Sequence, residues 1–272
     1  MSTERGLELA VPQVSLRRCF AVQRRVIGAL ILREVITRFG RHNLGVLWLV
    51  GEPMLFTLGV AALWSLAGLS RSAAIPVVAF AVTGYSSVLM WRNTVGRCSH
   101  AIQANLNLLF HRNVRVIDVL MARILLEIGG ATASFMVLVL VFVGIEWMAP
   151  PKDTILVLFG WVMLAWFGMA LSLTMGGATA FSQIVERIWH PAAYLLFPLS
   201  GAAYMADWMP PAAREVLLLL PMVHGVEMVR EGFFGSVMTY HHDMGYLAMC
   251  NLMLTLSGLW LVRLAGEQVV AE

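Results

Sequence analysis

The chain has 272 residues, 59% hydrophobic and 13% charged, with a formal net charge of +3 and a mean hydropathy of +0.77. Soluble domains carry about 25% charged residues, so this composition excludes an ordinary water-soluble domain and points to a polytopic membrane protein. The single lysine, Lys152, sits in "APPKDT" with no glycine-rich loop before it. That excludes a P-loop ATP site, so any active process must draw its energy from a partner.

The first forty or so residues are polar or mixed, which argues against a cleavable signal peptide. Within them, Ile27, Ile31 and Val35 repeat at a spacing of four, and Val26 and Leu30 widen that face. Arg24, Arg25, Arg33, Arg38 and Arg41 supply the polar side, the pattern of a helix lying on an anionic membrane surface. Cys19, Cys98 and Cys250 are scattered without metal-ligand spacing, and no disulfide is expected.

Five segments have the roughly 20 apolar residues that a spanning helix needs. They are Leu44–Leu69, Ile75–Val95, Asp118–Ile145, Thr154–Phe181 and Met244–Leu264. A sixth, Trp189–Met205, is short and carries Pro191 and Pro198, and the second has Thr83, Gly84, Ser86 and Ser87 at its middle. Six spans put both termini on one side. Arg5, Arg17, Arg18, Arg24, Arg25, Arg33, Arg38, Arg41, Arg97, Arg112, Arg115, Arg187 and Arg263 then share the cytoplasm. Arg71, Lys152, Arg214 and Arg230 lie outside, and this asymmetry sets the orientation. Between the last two spans, residues 210–240 hold a short apolar run, Val216 to Val223, with charged flanks and Pro221 inside it. That reads as an outer re-entrant hairpin broken in two by the proline. The organisation expected is residues 1–43 as a cytoplasmic N-terminus with its interface helix, 44–265 as the transmembrane domain, and 266–272 as a cytoplasmic tail. The fold class is an all-α polytopic membrane protein with an N-terminal amphipathic interfacial helix, six transmembrane helices and a periplasmic re-entrant hairpin before the last span.

The segment Leu32 to Val60, "LREVITRFGRHNLGVLWLVGEPMLFTLGV", resembles the start of the permease subunits of bacterial ABC exporters for capsular polysaccharide and O-antigen. The matching positions are Arg38, Phe39, Leu44, Gly45, Leu47, Trp48, Glu52 and Pro53, with Ile36 where that family has an arginine and Arg33 a turn earlier. A second stretch, "LPMVHGVEMVREGFFG" from Leu220 to Gly235, is similar to the family's outer-face segment, with Leu220-Pro221 in place of the usual Asn-Pro. The wording around Gly40 to Gly59 is nearer the capsule branch.

The resemblance implies a transport subunit, not an enzyme, with ATP and Mg bound by a separate ATPase and no cofactor on this chain. The partners implied are a second copy, two ATPase copies, a lipid-linked polysaccharide, periplasmic or outer-membrane export proteins and the bilayer, with no nucleic acid. The inner membrane is its implied place. The loop at about residues 97–117 would carry a coupling helix that meets the ATPase through Asn105, Asn107, Leu108, Leu109, Arg112 and Arg115. Arg33, Arg38, Arg41 and Glu52 would mark the interface helix and the way in, with Glu52 pairing to Arg38 or Arg41. Glu227, Arg230 and Glu231 would line the exit.

Sugar rings pack their C–H faces on aromatic side chains, so Trp64, Tyr85, Trp91, Trp161, Trp166, Tyr194 and Tyr204 are candidates for a glycan path, against a competing role as interface anchors. Arg123 and Glu127 stand four apart and could pair on one helix. Gly168, Gly176 and Gly177 suit close helix approach. No His, Ser or acidic constellation supports catalysis or a metal site. Two alternatives remain: a permease for O-antigen or another lipid-linked polymer, and an integral membrane glycosyl- or acyltransferase.

Overall fold

The structure is a computed structural model that describes residues 16–39, 44–68, 75–109 and 114–271. Among these residues it is helical throughout: α1 (Leu16–Phe39), α2 (Leu44–Leu66), α3 (Val77–Ser99), α4 (Leu106–Leu109), α5 (Val116–Gly144), α6 (Thr154–Ala178), α7 (Gln183–Leu199), α8 (Pro211–Leu217), α9 (Pro221–Phe234) and α10 (Met244–Ala271). Short 3₁₀ turns at Gln103–Asn105 and Ala206–Trp208 join them.

Four stretches are long and apolar enough to cross a membrane: Leu47–Leu66, Val116–Gly144, Thr154–Ala178 and Met244–Gln268. They coincide with the first, third, fourth and last of the expected spans. The second, α3, is too polar to qualify by composition, and its position explains why. It sits at the centre of the bundle against α2, α5, α6, α7 and α9. Seventeen of its residues are buried, so it meets protein where its neighbours meet lipid. Its central hydroxyls bond back along the helix, with Thr83 donating to the Ala79 carbonyl at 2.8 Å and Ser87 to that of Thr83 at 2.6 Å. α7 begins at Gln183, six residues before the expected start, where Ser182 caps it by accepting from the Ile184 N–H. At 17 residues it is roughly 26 Å long.

The closest pairing is α6 against α10, with α3 and α9 on the other sides of α6. Small residues allow the approach reciprocally. A Cβ on Gly177 would stand 2.9 Å from the Leu261 Cβ, and one on Gly258 would stand 2.8 Å from both the Leu173 Cβ and the Thr174 backbone nitrogen. Polar ties hold the register: Thr174 Oγ1 donates to the Leu254 carbonyl (2.9 Å), Trp166 Nε1 to Thr255 Oγ1 (3.0 Å) and Asn251 Nδ2 to the Met163 carbonyl (3.1 Å). Gly258→Ala is therefore expected to push α10 off α6 and cost about 1–3 kcal/mol, read as a lower melting temperature of the detergent-purified protein. An unchanged melting temperature would mean the two backbones are not this close.

The interface helix shows the residues expected but a different partner. Val26, Ile27, Leu30, Ile31 and Val35 are the half-buried face of α1, and the helix packs on α5 and α2, while Phe20, Val22, Leu32 and Ile36 are left exposed. At the other end of the chain, α10 continues through the expected tail to Ala271.

The segment expected to form a hairpin holds two helices, α8 and α9. Pro221 takes the first position of α9, where a missing N–H costs nothing, and α8 stops at Leu217. α9 is not peripheral: twelve of its fourteen residues are buried, against α3, α6 and α10.

Candidate functional site

One end of the bundle is tied by charges that cross four helices. Arg123 of α5 lies 3.2 Å from Glu34 of α1 and donates through Nη1 to the Arg97 carbonyl at 2.7 Å. Arg97 of α3 reaches Glu52 of α2 at 3.4 Å and Glu127 of α5 at 3.8 Å. The Arg123–Glu127 pair suggested by spacing is thus replaced by pairs between helices, which sequence spacing cannot display. Arg41 lies outside the described residues, as does the side chain of Arg38.

The expected coupling loop hangs from this end. After α3 the chain turns through Gln103–Asn105 into α4. Asn105 is buried, donating to the Ala101 carbonyl (2.9 Å) and accepting from Arg33 Nη1 of α1 (2.8 Å). Leu109 is buried among Cys98, Ile102, Val119 and Leu120. These two therefore anchor the turn inward. Asn107 is exposed and Leu108 half-exposed, so they form the presented surface, and Arg115 is exposed at the start of α5. Arg112 lies outside the described residues. Asp118 closes the segment by accepting from the Arg115 N–H (3.1 Å) and from Gln23 Nε2 of α1 (3.0 Å). The result is a turn whose backbone is fixed to both α1 and α5.

Beside the network, α2, α3 and α7 enclose a groove of about 400 Å³, lined by Glu52, Phe56, Arg92, Arg97, Trp189 and Tyr194 among others. From it an aromatic column runs toward the other end of the bundle. Tyr85 lies 5.3 Å from Phe197 and 6.0 Å from Phe56 (ring centroids), Trp64 packs edge-on to Tyr85 at 5.4 Å and lies 6.0 Å from Phe80, and Phe80 stacks on Trp208 at 5.3 Å. Of the aromatic candidates, Trp64 and Tyr85 stand in this column and Tyr194 at its groove end. Trp91 and Trp161 do not: both are buried, Trp91 against Phe167 and Trp189, and Trp161 stacked on Phe135 at 4.3 Å. Tyr204 spends its hydroxyl on the Leu199 carbonyl at 2.7 Å.

The column ends at a cap built on α9. Arg230 is fully buried; its Nη1 donates to the Gly201 and Tyr204 carbonyls (2.6 Å each) and its Nη2 to that of Ala202 (2.7 Å). Its guanidinium carbon lies 3.8 Å from the Phe80 ring centre. Gly84 leaves the room, since a Cβ there would collide with the Ala202 carbonyl oxygen and the Arg230 guanidinium. Glu227 is also buried and accepts from the Ala206 (3.1 Å) and His241 (3.3 Å) N–H groups. Neither residue is available on this protomer's surface to line an exit. Glu231, which meets His242, is the more exposed of the three.

His224 in the first turn of α9 is buried with both ring nitrogens partnered. Nε2 donates to the Leu218 carbonyl (2.7 Å), and Nδ1 accepts from the Asp243 N–H (2.9 Å). Burial lowers its pKa below the ordinary 6.5. A depressed folded value means stability is present above pH 6.5 and lost as the pH falls below it through the folded value. The protein's melting temperature should therefore drop below pH 6.5 more steeply than that of His224→Gln, and parallel pH profiles would refute the assignment.

Together these features define a helical membrane protein with a tethered turn at one end, a charged groove beside it and a closed cap at the other. The chain belongs to the ABC-2 type transporter family, whose pattern matches residues 25–234. It is 41% identical to the capsule polysaccharide export inner-membrane protein CtrC of Neisseria meningitidis serogroup B, over 93% of this chain and 96% of the relative. It is 38% identical to the capsule polysaccharide export inner-membrane protein BexB of Haemophilus influenzae, over 92% and 95%. The polysialic acid transport protein KpsM of Escherichia coli is 29% identical over 94% and 99%.

Proposed function

We propose that this chain is the membrane-spanning subunit of an ATP-driven exporter that carries lipid-linked capsular polysaccharide across the bacterial inner membrane. The observation that carries the reading is the 41% identity to a capsule polysaccharide export protein across 93% of the chain. The chain is a transport subunit, and ATP and Mg bind to a separate ATPase, present in two copies beside two copies of this chain. Both termini lie in the cytoplasm. α3 and α7 complete six spans with the four apolar helices, and α8 and α9 form the re-entrant hairpin on the periplasmic side, where envelope export proteins would dock.

In this scheme α4 is the coupling helix. Asn107 and Leu108 meet the ATPase, and Arg112 and Arg115 flank the contact. Closure of the ATPase dimer on ATP moves α4, and the ties from Arg33 to Asn105 and from Gln23 to Asp118 carry that motion to α1. The glycan follows the aromatic faces of Tyr194, Tyr85 and Trp64, whose column joins the groove to the cap. The test is association. The chain should co-purify with its ATPase, and an Asn107→Ala/Leu108→Ala variant should lose that association while remaining monodisperse. Equal recovery of the ATPase with both would remove α4 from the contact.

A further inference from the structure

α7 is loosely packed. Trp189 and Ala193 are its buried residues, and it rests on α3 and α6. Pro191 within it lacks the N–H that would bond the Arg187 carbonyl, so the turn before it is weakly joined to the rest. Glu186 stands in that first turn, and its Oε1 lies 2.7 Å from Nδ1 of His100. His190, one turn on, sets its ring 5.5 Å from the same imidazole (centroids). Arg97 faces Glu52 and Glu127, while Glu186 meets His100. His100 caps the C-terminus of α3, and its carbonyl accepts from the Ala104 N–H at 3.2 Å, inside the turn that leads to α4. The side chain that holds α7 is thus carried by the residue from which the coupling turn departs. His100 also borders two cavities. It lines the groove of about 400 Å³ and a second of about 460 Å³, to which Gln103, Gln183, Glu186 and Arg187 contribute. The contact with Glu186 lies where the two adjoin.

We propose that His100 and Glu186 are positioning residues that latch α7 to the coupling turn and keep it on α3 until ATP moves the turn. The inference deepens the exporter reading and rests on it for the ATPase. Motion of α4 displaces the backbone of His100 and draws Nδ1 away from Glu186. The turn of α7 before Pro191 then swings free, and the two cavities join. A single polar contact suits such a step. It restrains a loosely packed helix, yet a shift of about 1–2 Å, the ordinary size of helix movements in switching proteins, breaks it. Two arms then leave the coupling turn: the bonds of Asn105 and Asp118 to α1, and this one to α7.

The test uses the complete complex with its ATPase. Surface polysaccharide in the gene-deleted encapsulated host reports export, and the purified complex reports ATP hydrolysis. His100→Glu sets two carboxylates against one another and should lower export about tenfold, the loss expected when a hydrogen bond to a charged group goes, while hydrolysis continues. Glu186→Gln, whose amide oxygen still accepts from an Nδ1–H, should lose less. The exchanged pair His100→Glu/Glu186→His should recover export, which separate structural roles for the two residues would not give. Elution as a monodisperse complex confirms that each variant folds. Export by His100→Glu equal to wild type overturns the latch, and so does an exchanged pair as poor as the single variants. Movement is read separately, from spin labels at Gln103→Cys and Gln183→Cys, both exposed, in a Cys19→Ser/Cys98→Ala/Cys250→Ala background. The labels should part when a nonhydrolysable ATP analogue is added, and in His100→Glu they should stand apart without it. A spacing that the analogue leaves unmoved overturns the latch. Labels that part as expected in a wild-type complex that restores no surface polysaccharide overturn the exporter reading alone.

Discussion

Arg230→Met is expected to collapse the cap between α7 and α10 and to remove roughly 3–5 kcal/mol of stability, the range for deleting one partner of a buried charge network. Methionine fills similar volume, so the loss is not a cavity effect. It arises because the carbonyls of Gly201, Ala202 and Tyr204 lose the one side-chain donor they have among the described residues, at a buried position. Phe80 also loses the cation on its face. Arg230→Lys retains the charge but cannot serve three carbonyls from one planar fork, and so should fall between. The measurement is thermal unfolding in detergent followed by size-exclusion elution. A methionine variant that melts with wild type would show that the loop at 201–204 is held by something else.

If the turn at α4 couples to the ATPase as proposed, breaking its tie to α1 should cost at least about tenfold in export while leaving the complex assembled, since one or two hydrogen bonds of this kind are worth roughly that factor. Arg33 on α1 and Asn105 in the turn are 2.8 Å apart, and Asn105 also fixes the turn to Ala101. Arg33→Ala removes the strut alone; Asn105→Ala removes the strut and the local bond. Both should still bind the ATPase, because Asn107 and Leu108 remain presented. ATP hydrolysis should continue without proportionate export. If the two residues act through one another, the double variant will be no worse than Asn105→Ala. Additive losses would mean that they act independently, and full export by both would remove α1 from the coupling route.

The sequence revealed much of the fold because lipid contact writes a long signal. α5, α6 and α10 face hydrocarbon over many residues, and their apolar runs begin within two residues of the helices found. α3 was legible only by length, since a helix enclosed by other helices has no need of an apolar exterior. The apolar face of α1 was legible residue by residue, but periodicity reports that a face is buried and not what buries it; α5 took the place assigned to lipid. The candidate site was less legible for the same reason. Arg123 and Glu127 have the spacing of a helical pair, yet each finds a partner on another helix at the charged end. Glu227 and Arg230 have the composition of an exposed loop, yet α9 inserts them into the bundle.

The central claim is that this chain moves a capsule glycan and does not build it. The most direct test deletes the gene in its own encapsulated host and asks where the glycan goes. The account predicts that full-length, lipid-linked capsule polysaccharide accumulates inside the inner membrane, that none reaches the surface, and that the intact gene restores export only with a working ATPase partner. Absence of the polymer altogether, or its restoration by this chain without any ATPase, would contradict the account and favour a membrane transferase.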